Sequence, residues 1–164
     1  MYPRSGLRPT KSITRQAIFN ILGDEVLDAR VCDLFAGGGA LGLEAMARGA
    51  REAVFVEMSP VVLRYLRENV AGVEGVKVIR GDVRRVVRRL AGSEFDIVFA
   101  DPPYEQGLVA ETLNLVVRYG LVKVDGWVVI EHGEGEEPVT PGGWMRVKQV
   151  RYGESRVTFF RRCK

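Results

Sequence analysis

The fold of this chain is indicated most clearly by residues Asp33-Leu34-Phe35-Ala36-Gly37-Gly38-Gly39-Ala40-Leu41-Gly42. It follows a short apolar run, and Gly37, Gly39 and Gly42 have the spacing G-x-G-x-x-G. Glycines let the backbone approach a bound ligand closely because no Cβ stands between them. Such a turn between a strand and a helix predicts an α/β fold that binds a nucleotide-like ligand. Glycines needed only for a tight turn and close packing would give the same pattern.

Apolar runs of strand length recur along the chain on both sides of this turn. They contain few polar residues, which is typical of parallel strands covered on both faces. Segments with helical periodicity separate them, and this alternation predicts one doubly wound, Rossmann-like sheet with helices on both faces. The predicted parallel strands are Val31 to Ala36, Ala53 to Glu57, Val76 to Ile79, Phe95 to Ala100 and Trp127 to Glu131.

Several helices can be placed from their first residues and their apolar spacing. Ser59-Pro60 is an N-cap followed by a proline at the first helical position, and it predicts a helix toward Val70. Gly107 to Tyr119 supplies another helix. Between these two, apolar residues recur at i, i+3, i+4 and i+7 and form the buried stripe of a further helix. They are Val83, Val86, Val87 and Leu90.

The two ends of the chain depart from the alternating pattern. Residues Ser12 to Leu22 predict an extra helix ahead of the first strand. Its expected inward positions are Ile13, Ala17 or Ile18, and Ile21. Near the other end, Arg146 to Arg151 and Arg156 to Phe160 are joined by so few residues that they predict an antiparallel hairpin. The sheet is therefore expected to have about seven strands.

The length and composition of the chain limit the classes of protein to which it can belong. The 164 residues fit a single domain spanning 1–164, in which 1–22 form a basic segment and a helix. No apolar run approaches the roughly 20 residues that span a bilayer, and the start lacks the apolar stretch of a secretory signal. Cys32 and Cys163 do not form a disulfide framework or a metal site, so we expect a cytoplasmic protein without a metal.

Asp33 favours S-adenosylmethionine as the ligand over NAD, and so does the chain length, because 164 residues leave no room for the substrate domain of a dehydrogenase. Asp33 precedes Gly37, where a carboxylate suits the cationic methionine end and would repel a pyrophosphate. Glu57 follows Gly37 by about 20 residues, the spacing of an acid that binds ribose hydroxyls. Asp82 stands where the adenine amino group would lie, and it could equally be only a helix N-cap. The predicted cofactor-binding residues are Asp33, Phe35, Gly37, Gly39, Glu57, Met58, Asp82 and Val83.

The tetrapeptide Asp101-Pro102-Pro103-Tyr104 directly follows the fourth strand. The crevice of a doubly wound sheet opens at the carboxyl ends of strands one and four, so this loop and the glycine turn share a cleft. An exocyclic amine of a base is a poor nucleophile because its lone pair is delocalised. The Asp101 carboxylate and the Pro102 carbonyl can each accept one N–H and direct that lone pair toward a sulfonium methyl. Tyr104 offers a ring for an unstacked base, and Asp101, Pro102 and Tyr104 are the predicted catalytic residues.

With both motifs present, the chain resembles the class I S-adenosylmethionine-dependent methyltransferases. More narrowly, it is similar to the bacterial RsmD-type family, which methylates N2 of a guanine in small-subunit (16S) ribosomal RNA. The resemblance covers nearly the whole chain. The matching segments are Arg8-Pro9-Thr10, Arg15, Phe19-Asn20, Leu22, Phe35-Ala36-Gly37, Gly39 to Ala45, Arg48-Gly49-Ala50, Asp101 to Tyr104 and Tyr152-Gly153. The family usually has a serine at the position of Gly38 and an Asp-Arg pair at Ser12-Ile13.

The resemblance implies a monomer that methylates guanine N2 in 16S ribosomal RNA and releases S-adenosylhomocysteine. Its partner would be ribosomal RNA or a small-subunit particle, with no role for a membrane. The basic N-terminal segment would dock the RNA. The predicted nucleic-acid-binding residues are Arg8, Thr10, Lys11 and Arg15. A second basic set lies opposite the apolar stripe of its helix, as a solvated face does; it consists of Arg84, Arg85, Arg88 and Arg89.

Two other kinds of function are also compatible with these motifs. An amino-methyltransferase acting on DNA adenine or cytosine, or on another RNA, would use the same tetrapeptide. Such DNA enzymes normally need a target-recognition domain, for which 164 residues leave no room. A protein of this fold that only binds RNA as an assembly factor would have no need of Asp33, Glu57 and Asp101. Transfer of tritium from labelled cofactor to ribosomal RNA, to DNA or to neither distinguishes the three.

Overall fold

The structure, a computed structural model, describes residues 12–104 and 106–164. Its helices and strands alternate along most of the chain. The α-helices are α1 (Ser12–Leu22), α2 (Ala40–Ala47), α3 (Pro60–Val70), α4 (Val83–Arg89) and α5 (Leu108–Arg118). The strands are β1 (Arg30–Leu34), β2 (Glu52–Glu57), β3 (Val76–Arg80), β4 (Phe95–Ala100), β5 (Val122–Gly133), β6 (Trp144–Tyr152) and β7 (Ser155–Arg162). Two short 3₁₀ turns cover Gly23–Val26 and Glu134–Glu136.

All seven of these strands form one sheet with the order β3-β2-β1-β4-β5-β7-β6. The first five are parallel, and β7 runs antiparallel to both β5 and β6. The prediction of a doubly wound sheet closed by an antiparallel hairpin is confirmed. The strand order reverses between β1 and β4, where Leu34 pairs with Ala100, so a crevice opens at the carboxyl ends of these two strands.

Apolar side chains cover both faces of the sheet. One face packs against α1, α2 and α3, through residues such as Phe19, Leu41 and Leu66. The other face packs against α4 and α5, through residues such as Val86 and Leu113. This two-sided burial explains why the parallel strands are apolar along nearly their whole length. We refer below to the α1 face and the α5 face of the sheet.

Helix α1 has the predicted bounds but a different buried face. Ile13 was expected to point inward, and its side chain is 65% exposed. The buried residues are Thr14, Ile18, Phe19 and Leu22. The prediction for Ile13 is wrong because the buried stripe of α1 begins one residue later, at Thr14. On this stripe, Phe19 packs against Phe99 with ring centroids 5.6 Å apart.

Several strand bounds also differ from the prediction, among them the end of β1 and the start of β5. Strand β1 ends at Leu34 rather than Ala36, because Phe35 turns out of the strand with φ 57°. Strand β5 begins at Val122 rather than Trp127, and its pairing with β4 is irregular between Phe95 and Ile97. Among the residues that the structure describes, no helix has the length and apolar character needed to cross a membrane.

Candidate active site

A cavity of about 540 Å³ opens at the carboxyl ends of β1, β2 and β4. Its volume lies within the range of roughly 300–1,000 Å³ that is common for small-molecule sites. Among the described residues, its lining includes every predicted cofactor-binding residue except Gly39, together with Asp101 and Pro102. We call the part formed by Asp33, Gly37, Glu57 and Asp82 the cofactor side. We call the loop that contains Asp101, Pro102 and Tyr104 the acceptor side.

The glycine turn gives the cofactor side its shape. Gly37 has φ 58° and Gly39 has φ 87°, both in the left-handed region that disfavours a side chain. A Cβ on Gly39 would lie 2.7 Å from Cδ1 of Leu66, and one on Gly42 would collide with the ring of Phe55. Gly37 lines the cavity, whereas Gly39 and Gly42 allow close packing of the start of α2 against Leu66 of α3 and Phe55 of β2.

Asp33 lies at the floor of the cofactor side. Asp33 is 3% exposed, and its Oδ2 accepts a hydrogen bond of 3.0 Å from the Gly42 N–H at the start of α2. Burial raises the pKa of Asp33 to about 7, with the Gly42 N–H opposing that shift and the charge of Glu57 adding to it. A cation bound against Asp33 would stabilise its ionised form, so the site favours a positively charged ligand group.

Glu57 ties the glycine turn to the start of α3. Its Oε1 accepts a hydrogen bond of 2.9 Å from the Gly37 N–H. Its Oε2 accepts hydrogen bonds from the N–H groups of Met58, at 2.9 Å, and Ser59, at 2.8 Å. A carboxylate has about four lone-pair sites, so these bonds leave capacity for a further donor such as a ribose hydroxyl.

Asp82 is the N-cap of α4. Its Oδ1 accepts a hydrogen bond of 2.9 Å from the Arg84 N–H, and its Oδ2 accepts one of 2.7 Å from the Arg84 guanidinium. These bonds hold the pKa of Asp82 below its ordinary value. The capping role is thus present, and Asp82 also lines the cavity. Sequence reasoning assigned Arg84 to a solvated helix row and missed that it lines the cavity too.

The acceptor side follows directly from β4. Pro102 is buried and Asp101 is half-buried, one residue beyond the pairing of Ala100 with Leu34 and Ile130. Tyr104, the third predicted catalytic residue, is not among the residues that line the cavity, and its hydroxyl lies 2.5 Å from the Oγ of Ser155 at the start of β7. The sequence did not single out Ser155, although its signal was the hairpin that closes the sheet beside β5.

The basic residues expected to bind nucleic acid can be located only in part. Arg8, Thr10 and Lys11 lie outside the described residues. Arg15 lies on α1, and its Nε donates a hydrogen bond of 3.3 Å to Oε1 of Glu44 on α2. Its side chain is 29% exposed, so the guanidinium reaches the surface beside that ion pair. The arginines of α4 are exposed as predicted.

The described part of the chain has no evident metal-binding site. Residues 12–104 and 106–164 contain no group of three or more His, Cys, Asp or Glu side chains that could hold one. The donors around the cavity suit an organic cation instead: Asp33 and Glu57 supply negative charge, while Phe35, Met58 and Val83 supply apolar walls. This lining fits a nucleoside that carries a positive charge.

Sequence comparison and structure comparison each match this chain to methyltransferases over nearly its whole length. Residues 1–161 match the protein family described as Conserved hypothetical protein 95. The chain is 33% identical over 160 residues to Ribosomal RNA small subunit methyltransferase D of Escherichia coli strain K12, covering 96% of this chain and 80% of that protein. A solved structure from Escherichia coli has a TM-score of 0.87 at 30% identity, covering 100% of this chain and 91% of that one.

A more distant structure bears on the fold alone. It is an RNA methyltransferase from Salinibacter ruber in complex with S-adenosyl-L-homocysteine. Its TM-score is 0.73 at 17% identity, and the match covers 96% of this chain and 95% of that one. The fold of the chain is therefore the Rossmann-like fold of the methyltransferases.

Proposed function

Since the chain belongs to the Conserved hypothetical protein 95 family of methyltransferases, we propose that it transfers a methyl group from S-adenosylmethionine to N2 of a guanine in small-subunit (16S) ribosomal RNA. One observation carries the proposal. A single cavity is lined by the buried Asp33, by Glu57 and by Asp101 with Pro102, so a cation-binding side and an amine-binding side meet. The name of the Escherichia coli relative supports RNA as the substrate.

The cofactor side holds the donor. S-adenosylmethionine supplies an electrophilic methyl group on a sulfonium, together with ribose hydroxyls and an adenine. Asp33 faces the cationic end, and its carboxylate becomes fully ionised there. Glu57 accepts a hydrogen bond from the ribose with the capacity that Gly37, Met58 and Ser59 leave.

The adenine would lie between apolar and polar groups at the other end of the cavity. Met58 and Val83 line it with apolar surface, and Asp82 accepts a hydrogen bond from the amino group. Asp82 keeps its helix cap while doing so, because Arg84 donates two hydrogen bonds to Oδ1 and one to Oδ2, which leaves one lone pair of Oδ2.

The acceptor side orients the nucleophile. The Asp101 carboxylate and the Pro102 carbonyl each accept one N–H of the guanine amine, which turns its lone pair toward the methyl group. As the N–C bond forms, the bond between the methyl carbon and the sulfonium sulfur would break, S-adenosylhomocysteine would leave as the neutral thioether, and Asp101 would accept the proton that the amine loses. Both prolines keep the loop stiff and bring no backbone N–H that could compete with the amine. Tyr104 stacks on the base after it leaves its helix.

We also propose how the whole chain serves this reaction. The 164 residues act as one cytoplasmic, monomeric domain, and the basic N-terminal segment docks the RNA. Arg8, Thr10 and Lys11 would contact phosphates there. Arg15 would keep its Nε on Glu44 and present its remaining guanidinium N–H groups to the RNA.

The test is tritium transfer from labelled S-adenosylmethionine onto isolated small-subunit RNA, small-subunit particles and duplex DNA. We expect label in RNA or in particles, and nuclease digestion should release N2-methylguanosine. The matched variants are Asp101→Ala and Glu74→Ala, since Glu74 is an exposed carboxylate in the loop before β3. Label that appears in DNA, or on another atom of an RNA base, would contradict the proposal, as would calorimetric binding of NAD in place of S-adenosylmethionine.

A further inference from the structure

Tyr104 is tied to a strand that begins 51 residues further along the chain. Its hydroxyl and the Ser155 hydroxyl share a hydrogen bond with an oxygen–oxygen distance of 2.5 Å. Ser155 is the first residue of β7 and pairs with Gly133, the last residue of β5. A Cβ on Gly133 would lie 3.9 Å from Cδ2 of Tyr104. The ring therefore lies beside the last rung of the β5–β7 ladder.

This arrangement fixes the Tyr104 side chain at both ends. At the backbone end, Pro102 and Pro103 have restricted φ angles, and Pro102 is buried. At the far end, the hydroxyl is held by a strand of the central sheet. A phenol ring rotates about two side-chain torsions, and a contact at its tip restricts both of them. The plane of the ring is thus set by the sheet as well as by its own loop.

The position of Ser155 depends on the register of the closing hairpin. Tyr152 pairs with Ser155 across the turn, and Gly153 has φ 59° within it. The Gly133–Ser155 pair puts both residues on the same side of the sheet, together with the pair of Glu131 and Val157. A slip of one residue would turn the Ser155 side chain to the opposite face and break the contact with Tyr104.

We propose that Ser155 is a positioning residue for methyl transfer, because it fixes the ring plane on which the target base stacks. The inference rests on the proposed function, since that function gives Tyr104 a base to hold. A base that stacks on a fixed plane presents its amine within the few tenths of an ångström that an in-line attack needs. The hydroxyl of Tyr104 then serves as an anchor for the ring and takes no part in the chemistry.

The first test compares the full chain with Ser155→Ala and Ser155→Thr. The alanine variant should lower kcat about three- to tenfold, the size expected for one lost hydrogen bond, while calorimetric cofactor affinity stays unchanged. The threonine variant should restore most of the loss, because it keeps the hydroxyl and suits a strand. KM for RNA should change less than kcat, since docking contacts lie elsewhere.

A matched control removes a similar bond at the other end of the sheet. The Ser93 hydroxyl donates a hydrogen bond of 2.5 Å to the Leu90 carbonyl in the loop before β4. Ser93→Ala should leave kcat unchanged. If Ser93→Ala and Ser155→Ala lower kcat equally, or if Ser155→Ala has no effect on kcat, the inference is overturned.

A double-mutant cycle tests whether the two hydroxyls act together. Tyr104→Phe and Ser155→Ala remove the two partners of one bond, so each should lower kcat by a similar factor. The double variant should then be no slower than either single variant. Losses that multiply in the double variant would show that the hydroxyls act independently and would overturn the inference.

Hydrogen exchange gives a readout that does not depend on the substrate. In the full chain without RNA, Ser155→Ala should speed exchange of the amides between Tyr104 and Leu108, and Ser155→Thr should not. Unchanged exchange in Ser155→Ala would overturn the inference. Failure of the proposed function has a different signature: the wild-type chain would methylate no RNA, while the exchange difference would persist.

Discussion

The cofactor side and the acceptor side hold their side chains in place by different means. On the cofactor side, Glu57 binds the N–H groups of Gly37, Met58 and Ser59, and Asp82 caps the helix that it precedes. The bonds from Met58, Ser59 and Arg84 stay within one turn of the chain, and the bond from Gly37 joins two neighbouring turns 20 residues apart. On the acceptor side, Tyr104 depends on Ser155, 51 residues away on an antiparallel strand. A local turn shapes the first side, and a distant hairpin shapes the second.

This difference implies that a substitution can impair one side of the cavity without impairing the other. A change on the acceptor side should slow turnover and spare cofactor binding, because the bonds that hold Asp33 and Glu57 do not pass through the loop after β4. A change on the cofactor side should weaken binding and leave the Tyr104–Ser155 contact intact. Substitutions on each side, compared in the same assays, test that separation.

The largest effect should come from Asp101→Ala. We expect kcat to fall at least roughly 100-fold, since Asp101 orients the amine and accepts its proton. Cofactor affinity and the unfolding midpoint should change little. Single-turnover kinetics and calorimetry on the same preparation check both points. A variant that keeps more than about a tenth of the wild-type rate would assign the orientation of the amine to another group.

Glu57→Ala should have the next largest effect, and on binding instead of chemistry. We expect S-adenosylmethionine affinity to fall about tenfold or more, or about 1.5–3 kcal/mol for hydrogen bonds to a charged group. Calorimetry measures it. Glu52→Ala is the matched control, because Glu52 lies at the other end of β2 and pairs with Arg30. Equal affinities in the two variants would remove Glu57 from the cofactor side.

Asp33 predicts a pH dependence for cofactor binding. Its pKa of about 7 in the ligand-free protein means that part of the population is protonated below neutrality, whereas a cationic ligand prefers the ionised form. Affinity should therefore rise by up to about tenfold between roughly pH 6 and pH 8. Asp33→Asn should bind weakly and lose this dependence. An unchanged pH profile in that variant would show that another group titrates.

The same pKa shift has the opposite sign for stability. The pKa of Asp33 is raised from 3.8 to about 7 on folding, so the folded state holds the proton more tightly than the unfolded chain. The contribution of Asp33 to the free energy of unfolding is thus most favourable below about pH 4 and is lost as the pH rises through about 7. Denaturant titrations of the wild type and Asp33→Asn at several pH values measure the difference.

The smallest effect concerns RNA docking. Neutralising Arg8 and Arg15 together should flatten the slope of log affinity against log salt by roughly one to two units, because each phosphate contact releases about one counterion. Neutralising Arg84 and Arg88, which removes the same charge from α4, should change the slope less. Filter binding at several salt concentrations measures both. A larger change in the α4 pair would place the RNA on the α5 face of the sheet.

Sequence patterns predicted the elements well where their causes are local. Helix α3 follows from its cap Ser59 and from Pro60, and the structure has it from Pro60–Val70 as expected. The start of β5 could not be predicted, because Asp125 and Gly126 interrupt its apolar pattern and Asp125 has φ 65°. The buried face of α1 was missed at Ile13, since periodicity alone does not say which side of a helix meets the sheet.

Within the cleft, too, the features with local causes could be predicted and those that depend on packing could not. The order of strands and turns predicts that Asp33, Glu57 and Asp101 gather at one edge, because parallel strands in a doubly wound sheet end on the same side. The sequence also showed that Asp82 could cap a helix, and its bond to the Arg84 N–H is that cap. It did not show the depth at which Asp33 is buried, which depends on how α2 packs over the sheet.

The chemical groups near the strand ends can be read from the sequence alone: a glycine turn, acids at or close to the ends of β1, β2 and β3, and a stiff tetrapeptide after β4. These depend on spacing between neighbours along the chain, which sets local conformation. The hydrogen bonds between Tyr104 and Ser155 and between Gly37 and Glu57, by contrast, arise from the tertiary structure. Such contacts depend on strand order and register, because a distance between residues far apart in sequence exists only once the sheet has closed.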